Sequence, residues 1–222
     1  MRCTQRSTLF PYTTLFRSGV KTTVAVAEAV PDSLLHFPTS FEGHPDPHIW
    51  FDVFLWQQTV KVVGVTLALK DTAHAADYRQ NLAAYLNTLD SLHVWTKEQI
   101  ASIPPDQRVL VTAHDAFGYF GRAYEIEVLG LQGISTVTEA GLYDVTEMVN
   151  FLVDRKIKAV FVESSVPRKA IQSVVDGCRA RDHDVRIGGE LFSDAMGAEN
   201  TPEGTYPGMV RHNVSTIVEA LR

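Results

Sequence analysis

The pattern of apolar positions changes character near residue 105 of this 222-residue chain. Upstream, the chain reads as two helices. Val53 to Lys70 reads as a helix. Asp77 to Ile103 reads as a long amphipathic one, with Tyr78, Leu82, Tyr85, Leu86, Leu89, Leu92, Ile100 and Ile103 at three- and four-residue steps. At 1.5 Å per residue it spans roughly 40 Å, more than one small lobe requires. Pro104-Pro105 stops it. Such a helix is suited to be a spine between two lobes. Ahead of both helices, Lys21 to Val30 reads as a short β-rich run. The loop after it carries Pro31, Pro38, Gly43, Pro45 and Pro47, too many prolines for regular structure.

Downstream, short apolar runs alternate with helical ones. Strand Arg108–Thr112 leads to helix Ala116–Tyr124, and strand Ile126–Leu131 to a loop and helix Val145–Lys156. Strand Lys158–Val162 leads to helix Pro167–Arg181, with proline at a helix start where its missing N–H costs nothing. Strand Asp184–Gly188 and a Gly/Ser-rich loop precede a closing helix, Met209–Leu221. Repeated β-α units with short connections force parallel pairing, so the expected class is α/β, a parallel sheet covered by helices.

Composition narrows the field without changing that picture. Hydrophobic residues make up 45% of the chain, enough for a packed core and too many for a disordered one. The longest apolar run, Val62 to Leu69, is far short of the ~20 residues of a membrane span. The formal charge of −6 and the lack of a cluster of basic residues in the sequence argue against a nucleic-acid partner. Arg179, Arg181 and Arg186 interleave with Asp176, Asp182 and Asp184 as a solvated surface. Of the two cysteines, Cys3 lies in an anomalous start and Cys178 has no partner, so Cys178 reads as a small core residue.

The start is anomalous because residues 1–18 hold three Arg, no acid, no apolar targeting core and no regular period. The stretch Thr8 to Ser18 resembles the conceptual translation of a short-read sequencing adapter. Residues 1–18 are therefore expected to be foreign, and the native sequence to enter, truncated, at about Gly19.

In an open parallel sheet ligands bind beyond the carboxyl ends of the strands, so the residues just past each strand are informative. Ala113-His114-Asp115 comes after the first. Glu163 closes another, before Ser164 and Ser165. The last runs into Leu191-Phe192-Ser193-Asp194, and the early β-rich run leads through its loop to Asp46-Pro47-His48. Each end presents an imidazole or a carboxylate. Two His, an Asp and a Glu converging on one crevice suit Zn²⁺, Mn²⁺ or Fe²⁺. No HExxH or CxxC spacing fixes two ligands on one element.

Several segments, in order, carry a resemblance. Asp46-Pro-His-Ile-Trp-Phe-Asp52, Thr112-Ala-His-Asp-Ala-Phe-Gly-Tyr-Phe120, Gly133-Ile-Ser-Thr136, Phe161-Val-Glu-Ser-Ser165 and Gly189-Glu-Leu-Phe-Ser-Asp-Ala-Met-Gly197 resemble the metal-binding solute receptors of bacterial zinc, manganese and iron ABC importers, the TroA-like family. Gly204 to Met209 and His212-Asn213 are similar to that family's C-terminal pattern. The resemblance implies two Rossmann-like lobes with parallel sheets joined by a long rigid helix, with the metal between them. Here that gives a remnant of the N-terminal lobe at 19–76, the linking helix at 77–103 and the C-terminal lobe at 104–222. It implies His48, His114 and Asp194 as ligands. The family's first ligand, a histidine on an early strand, matches no position and is expected upstream of Gly19. Glu163 is not a ligand in the family motif. It is expected either to accept the free N–H of a ligating imidazole or to organise a buried loop.

The resemblance further implies a monomeric receptor that is not an enzyme. Its cargo would be Zn²⁺ or Mn²⁺, with Fe²⁺ as a further option. It would work in the periplasm or at the extracellular face of the membrane and deliver its metal to ABC permease subunits. Zinc-dedicated members often carry a His-rich loop. Phe37–His48 holds only His44 and His48, which leans toward manganese or mixed use.

Blander roles stand beside these. His48 could simply pack on Trp50, His114 be a satisfied structural histidine, and Asp194 cap a turn. His44 is four residues from His48, but Pro45 and Pro47 forbid a shared helical face. Asp115 and Glu139 have no assigned task, and Tyr206 and Asn213 read as packing and capping residues. Ser164 and Ser165 beside His114 lack the G-x-S-x-G frame of a hydrolase nucleophile. The competing functions are a metal-dependent hydrolase built on the same His/His/Asp cluster, and a surface adhesin.

Overall fold

A computed structural model describes residues 23–41, 43–134 and 141–222. The adapter-like segment, Glu139, and Ser135 and Thr136 of one motif lie outside the described residues. Six α-helices and four strands keep the expected order among them.

Helix α1, Val53–Lys70, begins at Asp52, whose carboxylate accepts from the N–H groups of Phe54 and Leu55 at 2.9 and 3.4 Å. Burial pushes the Asp52 carboxyl above its ordinary value. Helix α2, Ala75–Ala101, starts two residues earlier than its apolar period predicts. Its first half packs on α1: Gly64 lets the helices close up, since a Cβ there would meet Leu82 Cδ2 at 2.8 Å. Gln57 donates to Asp90 across the pair at 2.7 Å. Its second half meets the rest of the molecule, with His93 Nδ1 3.2 Å from the Tyr124 hydroxyl and Arg211 over the Trp95 ring. Helix α1 keeps Phe54, Val63, Val65, Leu67 and Leu69 exposed, so it is apolar on more sides than it buries.

The remainder alternates: β1 Val109–His114, α3 Gly118–Tyr124, β2 Glu127–Gln132, α4 Leu142–Arg155, β3 Ala159–Glu163, α5 Lys169–Arg179, β4 Arg186–Leu191 and α6 Tyr206–Leu221. β1 pairs with β2 and β3 with β4, both in parallel, and β1 lies beside β3. β1 and β3 are buried on both faces, as central parallel strands must be. Alternation divides them cleanly. Val109, Val111 and Ala113 join Val160 and Val162 against Met148, Leu152, Ile171 and Val174 of α4 and α5. Leu110, Ala159 and Phe161 face the opposite layer, with Phe120, Val214, Ile217 and the C-terminal part of α2. Cys178 is buried among the α4 and α5 residues, as a core cysteine. Among the described residues no helix is long and apolar enough to cross a membrane.

One expectation is corrected. The described part of the Lys21–Val30 run is not a strand; Val26–Ala29 forms one turn of 3₁₀ helix. A strand satisfies its N–H groups only through a neighbour. With none beside it among the described residues, Glu28 and Val30 donate instead to the carbonyls of Ala25 and Ala27. Among the described residues of the proline-rich loop after it, single turns form at Asp32–Leu34 and Thr39–Phe41.

Candidate metal centre

Strand parity builds the deepest part of the site. His114 ends β1 in phase with Leu110, and Glu163 ends β3 in phase with Phe161, so both face the same layer from neighbouring strands. The chain leaves β1 past Gly130 of β2, where a Cβ would stand 2.4 Å from the Asp115 nitrogen; only glycine admits this approach. Glu163 Oε1 accepts from the His114 backbone N–H at 2.8 Å, and Oε2 lies 2.6 Å from His114 Nδ1. A carboxylate against Nδ1 holds the proton there and leaves Nε2 with a free lone pair. Burial alone pulls the His114 imidazole down. The hydrogen bond and charge of Glu163, with Asp194 and Asp115, outweigh it and raise the net value above 6.5.

His48 stands in the loop, just before the single turn Ile49–Phe51. Asp46, two residues earlier, does for it what Glu163 does for His114. Its Oδ1 accepts from the His48 backbone N–H at 2.9 Å and lies 2.7 Å from Nδ1. Both residues are buried. Tyr119 of α3 donates to the Asp46 carbonyl at 3.0 Å, which ties the loop to the α/β layers. The His48 ring meets Trp50 and His114 edge-on, with centroids 5.2 and 5.4 Å apart.

Asp194 comes from the loop after β4. Asn213 of α6 brackets Phe192, accepting from its N–H at 2.9 Å and donating to its carbonyl at 2.7 Å. The Trp50 indole donates to the Ser193 carbonyl at 3.0 Å, and the Ser165 hydroxyl lies 3.2 Å from Asp194 Oδ2. Asp194 then presents Oδ1 to His48 Nε2 and Oδ2 to His114 Nε2, each at 3.7 Å.

His48, His114 and Asp194 thus offer three donor atoms within 4.8 Å of one another. Two ligands each about 2.1 Å from a tetrahedral ion lie about 3.4 Å apart, so a 3.7 Å gap suits atoms facing a common cation better than atoms bonded to each other. His114 Nε2 is buried and stands 3.7 Å from Asp194 Oδ2, beyond hydrogen-bond reach, while Nδ1 lies 2.6 Å from Glu163 Oε2, so Nε2 is the nitrogen left for a metal. Asp46, Asp115, Glu163 and Asp194 surround two imidazoles with an excess of negative charge. Asp115 registers it: burial first, then the charge of Asp46, raises its carboxyl.

The other sequence candidates separate here. His44 lies against Phe41 and outside the cluster. Asn213 holds the Asp194 loop, and Tyr206 donates to the Trp50 carbonyl at 2.7 Å. Ser165 binds Asp194 rather than an imidazole. Sequence reasoning gives no role to Asp46 and sees Trp50 only as a surface on which His48 could pack. An Asx turn is legible in Asp46-Pro47-His48; the Trp50 contact reaches 143 residues along the chain and leaves no local signal.

Comparison with known proteins gives the family of the chain as a whole. The sequence profile of the family described as "Zinc-uptake complex component A periplasmic" matches residues 12–220. The zinc-binding protein TroA of Treponema pallidum is 48% identical over 203 residues, covering 91% of this chain and 65% of that protein. The manganese-binding lipoprotein MntA of Bacillus subtilis is also 48% identical, over 202 residues, covering 91% and 66%. The chain thus spans just under two thirds of the length of these relatives. The solved structure of the periplasmic zinc-binding protein TroA from Treponema pallidum superposes with a TM-score of 0.89 at 47% identity, covering 95% of this chain and 74% of that one.

Proposed function

This chain belongs to the periplasmic zinc-uptake complex component A family, and from that premise we propose that it captures a divalent transition metal for an ABC importer. The observation that carries the proposal is the pair of carboxylate-backed imidazoles, His48 with Asp46 and His114 with Glu163, both turned by their Nε2 atoms toward Asp194. His48, His114 and Asp194 replace part of the ion's water shell. Asp46 and Glu163 hold the two imidazoles in the metal-binding tautomer and raise their donor strength. The ion is cargo, and no bond in a substrate is made or broken.

The reading extends to place and partner. The receptor works outside the cytoplasmic membrane, free in the periplasm or tethered to the outer face. It acts as a single copy and hands its metal to permease subunits. The continuous helix α2 favours a modest rocking of lobes over wide hinge closure, since an unbroken helix has few soft dihedrals. Two imidazoles and one carboxylate suit Zn²⁺ and accept Mn²⁺. A zinc-binding and a manganese-binding relative stand at the same 48% identity, so overall likeness does not choose between them. A hydrolase built on this cluster would need a free general base, and both buried carboxylates nearest the imidazoles are already committed to them.

Titration calorimetry of the 222-residue chain with zinc tests the reading. One ion per chain is expected, with binding lost in His48→Ala and His114→Ala while the fold persists by circular dichroism. Unchanged binding in both variants would refute it.

A further inference from the structure

Asp194 differs from the two imidazoles in how it is held. Its side chain is 40% exposed where theirs are 5% and 1%, so burial does not fix its rotamer. The backbone before it is pinned at Phe192 by Asn213 and at Ser193 by Trp50. The carboxylate itself is gripped by Ser165. An ionised carboxylate has no proton to give, so the Ser165 hydroxyl is the donor. Ser165 Oγ also lies 2.6 Å from Ser193 Oγ. With its own proton spent on Asp194, Ser165 accepts there and Ser193 donates. The result is a directed chain, Ser193 to Ser165 to Asp194, ending on Oδ2.

We propose that Ser165, backed by Ser193, is a positioning residue that sets the metal preference of the site by fixing how Asp194 presents its two oxygens. The inference rests on the metal-capture reading above. In the orientation Ser165 enforces, Oδ1 and Oδ2 face different imidazoles at equal distance, so one ion between the rings meets both oxygens. A chelating carboxylate matters unequally to the two metals. Mn²⁺ is hard, prefers oxygen donors and takes more than four ligands. Zn²⁺ is satisfied by four ligands and is well held by imidazole, so a single carboxylate oxygen serves it. Freed from Ser165, the exposed Asp194 side chain turns, and the ion keeps one oxygen instead of two. Manganese loses most by this.

The test compares Zn²⁺ and Mn²⁺ affinities of the full chain with those of Ser165→Ala and Ser165→Thr. Ser165 is exposed, so its removal opens no core cavity, and an unchanged melting temperature checks this. In Ser165→Ala the Mn²⁺ affinity is expected to fall on the order of 10-fold, the lower end for loss of a group that orients a ligand, and the Zn²⁺ affinity by less than about 3-fold. Ser165→Thr, which keeps the hydroxyl, restores the Mn²⁺ value. Equal losses for both metals, no loss for either, or failure of threonine to rescue would each overturn the proposal. A wild-type chain that binds neither metal would instead overturn the capture reading beneath it.

Discussion

The two halves of the candidate metal centre reach the same geometry by different routes. On the strand side, His114 ends a buried strand, and the carboxylate that orients it comes from a neighbouring strand 49 residues away. On the loop side, His48 is oriented by Asp46 from within the same turn. The first pairing exists only once the sheet has formed. The second is nearly local, and its place in the molecule depends on Tyr119 and Trp50. The same carboxylate-backed imidazole thus arises from two different architectures in one site.

The sharpest way to break this comparison is to neutralise each carboxylate in turn. Glu163→Gln keeps an acceptor for the His114 N–H but can present an amide N–H to Nδ1, which disfavours the binding tautomer. Zinc affinity is expected to fall toward the upper end of a roughly 10–100-fold range, because the fully buried ring has no alternative orientation. Asp46→Asn is expected to fall toward the lower end, since the turn can readjust. Calorimetry at about pH 7.5, above the ordinary imidazole range, distinguishes them, and a larger loss in Asp46→Asn would reverse the ranking.

A smaller effect sharpens it through pH. On the proposed reading zinc and a proton compete for His114 Nε2, so affinity is expected to decline as pH falls through the imidazole pKa. Burial opposes the charged ring, yet Glu163 and Asp194 raise its pKa above 6.5. The decline therefore starts at a higher pH than for an ordinary histidine. Glu163→Gln removes a raising influence, so its midpoint moves to lower pH even as its plateau affinity drops. Zinc binding followed from about pH 8 to about pH 5, a span that brackets imidazole titration, checks both signs.

The legibility of the molecule in its sequence divides along the same line. The β-α alternation and the strand-end rule lead to His114 and Glu163, because buried parallel strands announce themselves as apolar runs. Asp194 follows β4, which is only partly buried and is marked by its place in the alternation rather than by an apolar run. Helix α1 has the bounds read from the sequence, Val53–Lys70, and the structure adds Asp52 as the cap of its first turn. Helix α6 begins three residues before the Met209 that its apolar pattern marks. Thr205, whose hydroxyl accepts from the Gly208 N–H, caps it, and Pro207 fits a first turn that carries no apolar period. The Lys21–Val30 run shows the limit of pattern. Alternation marks a segment fit for a strand, but a partner decides whether one forms. Ser165 shows the same limit at the site: its motif sets it beside His114, and only the approach of the 193–194 loop reveals Asp194 as its partner.

The central claim is that His48, His114 and Asp194 hold one metal ion together. X-ray absorption at the zinc edge of the loaded chain tests it most directly. The account predicts imidazole and carboxylate scattering at about 2.0–2.1 Å, with the imidazole contribution reduced by about one ring in His48→Ala and in His114→Ala. An all-oxygen shell, or a spectrum unaltered by either substitution, would contradict it.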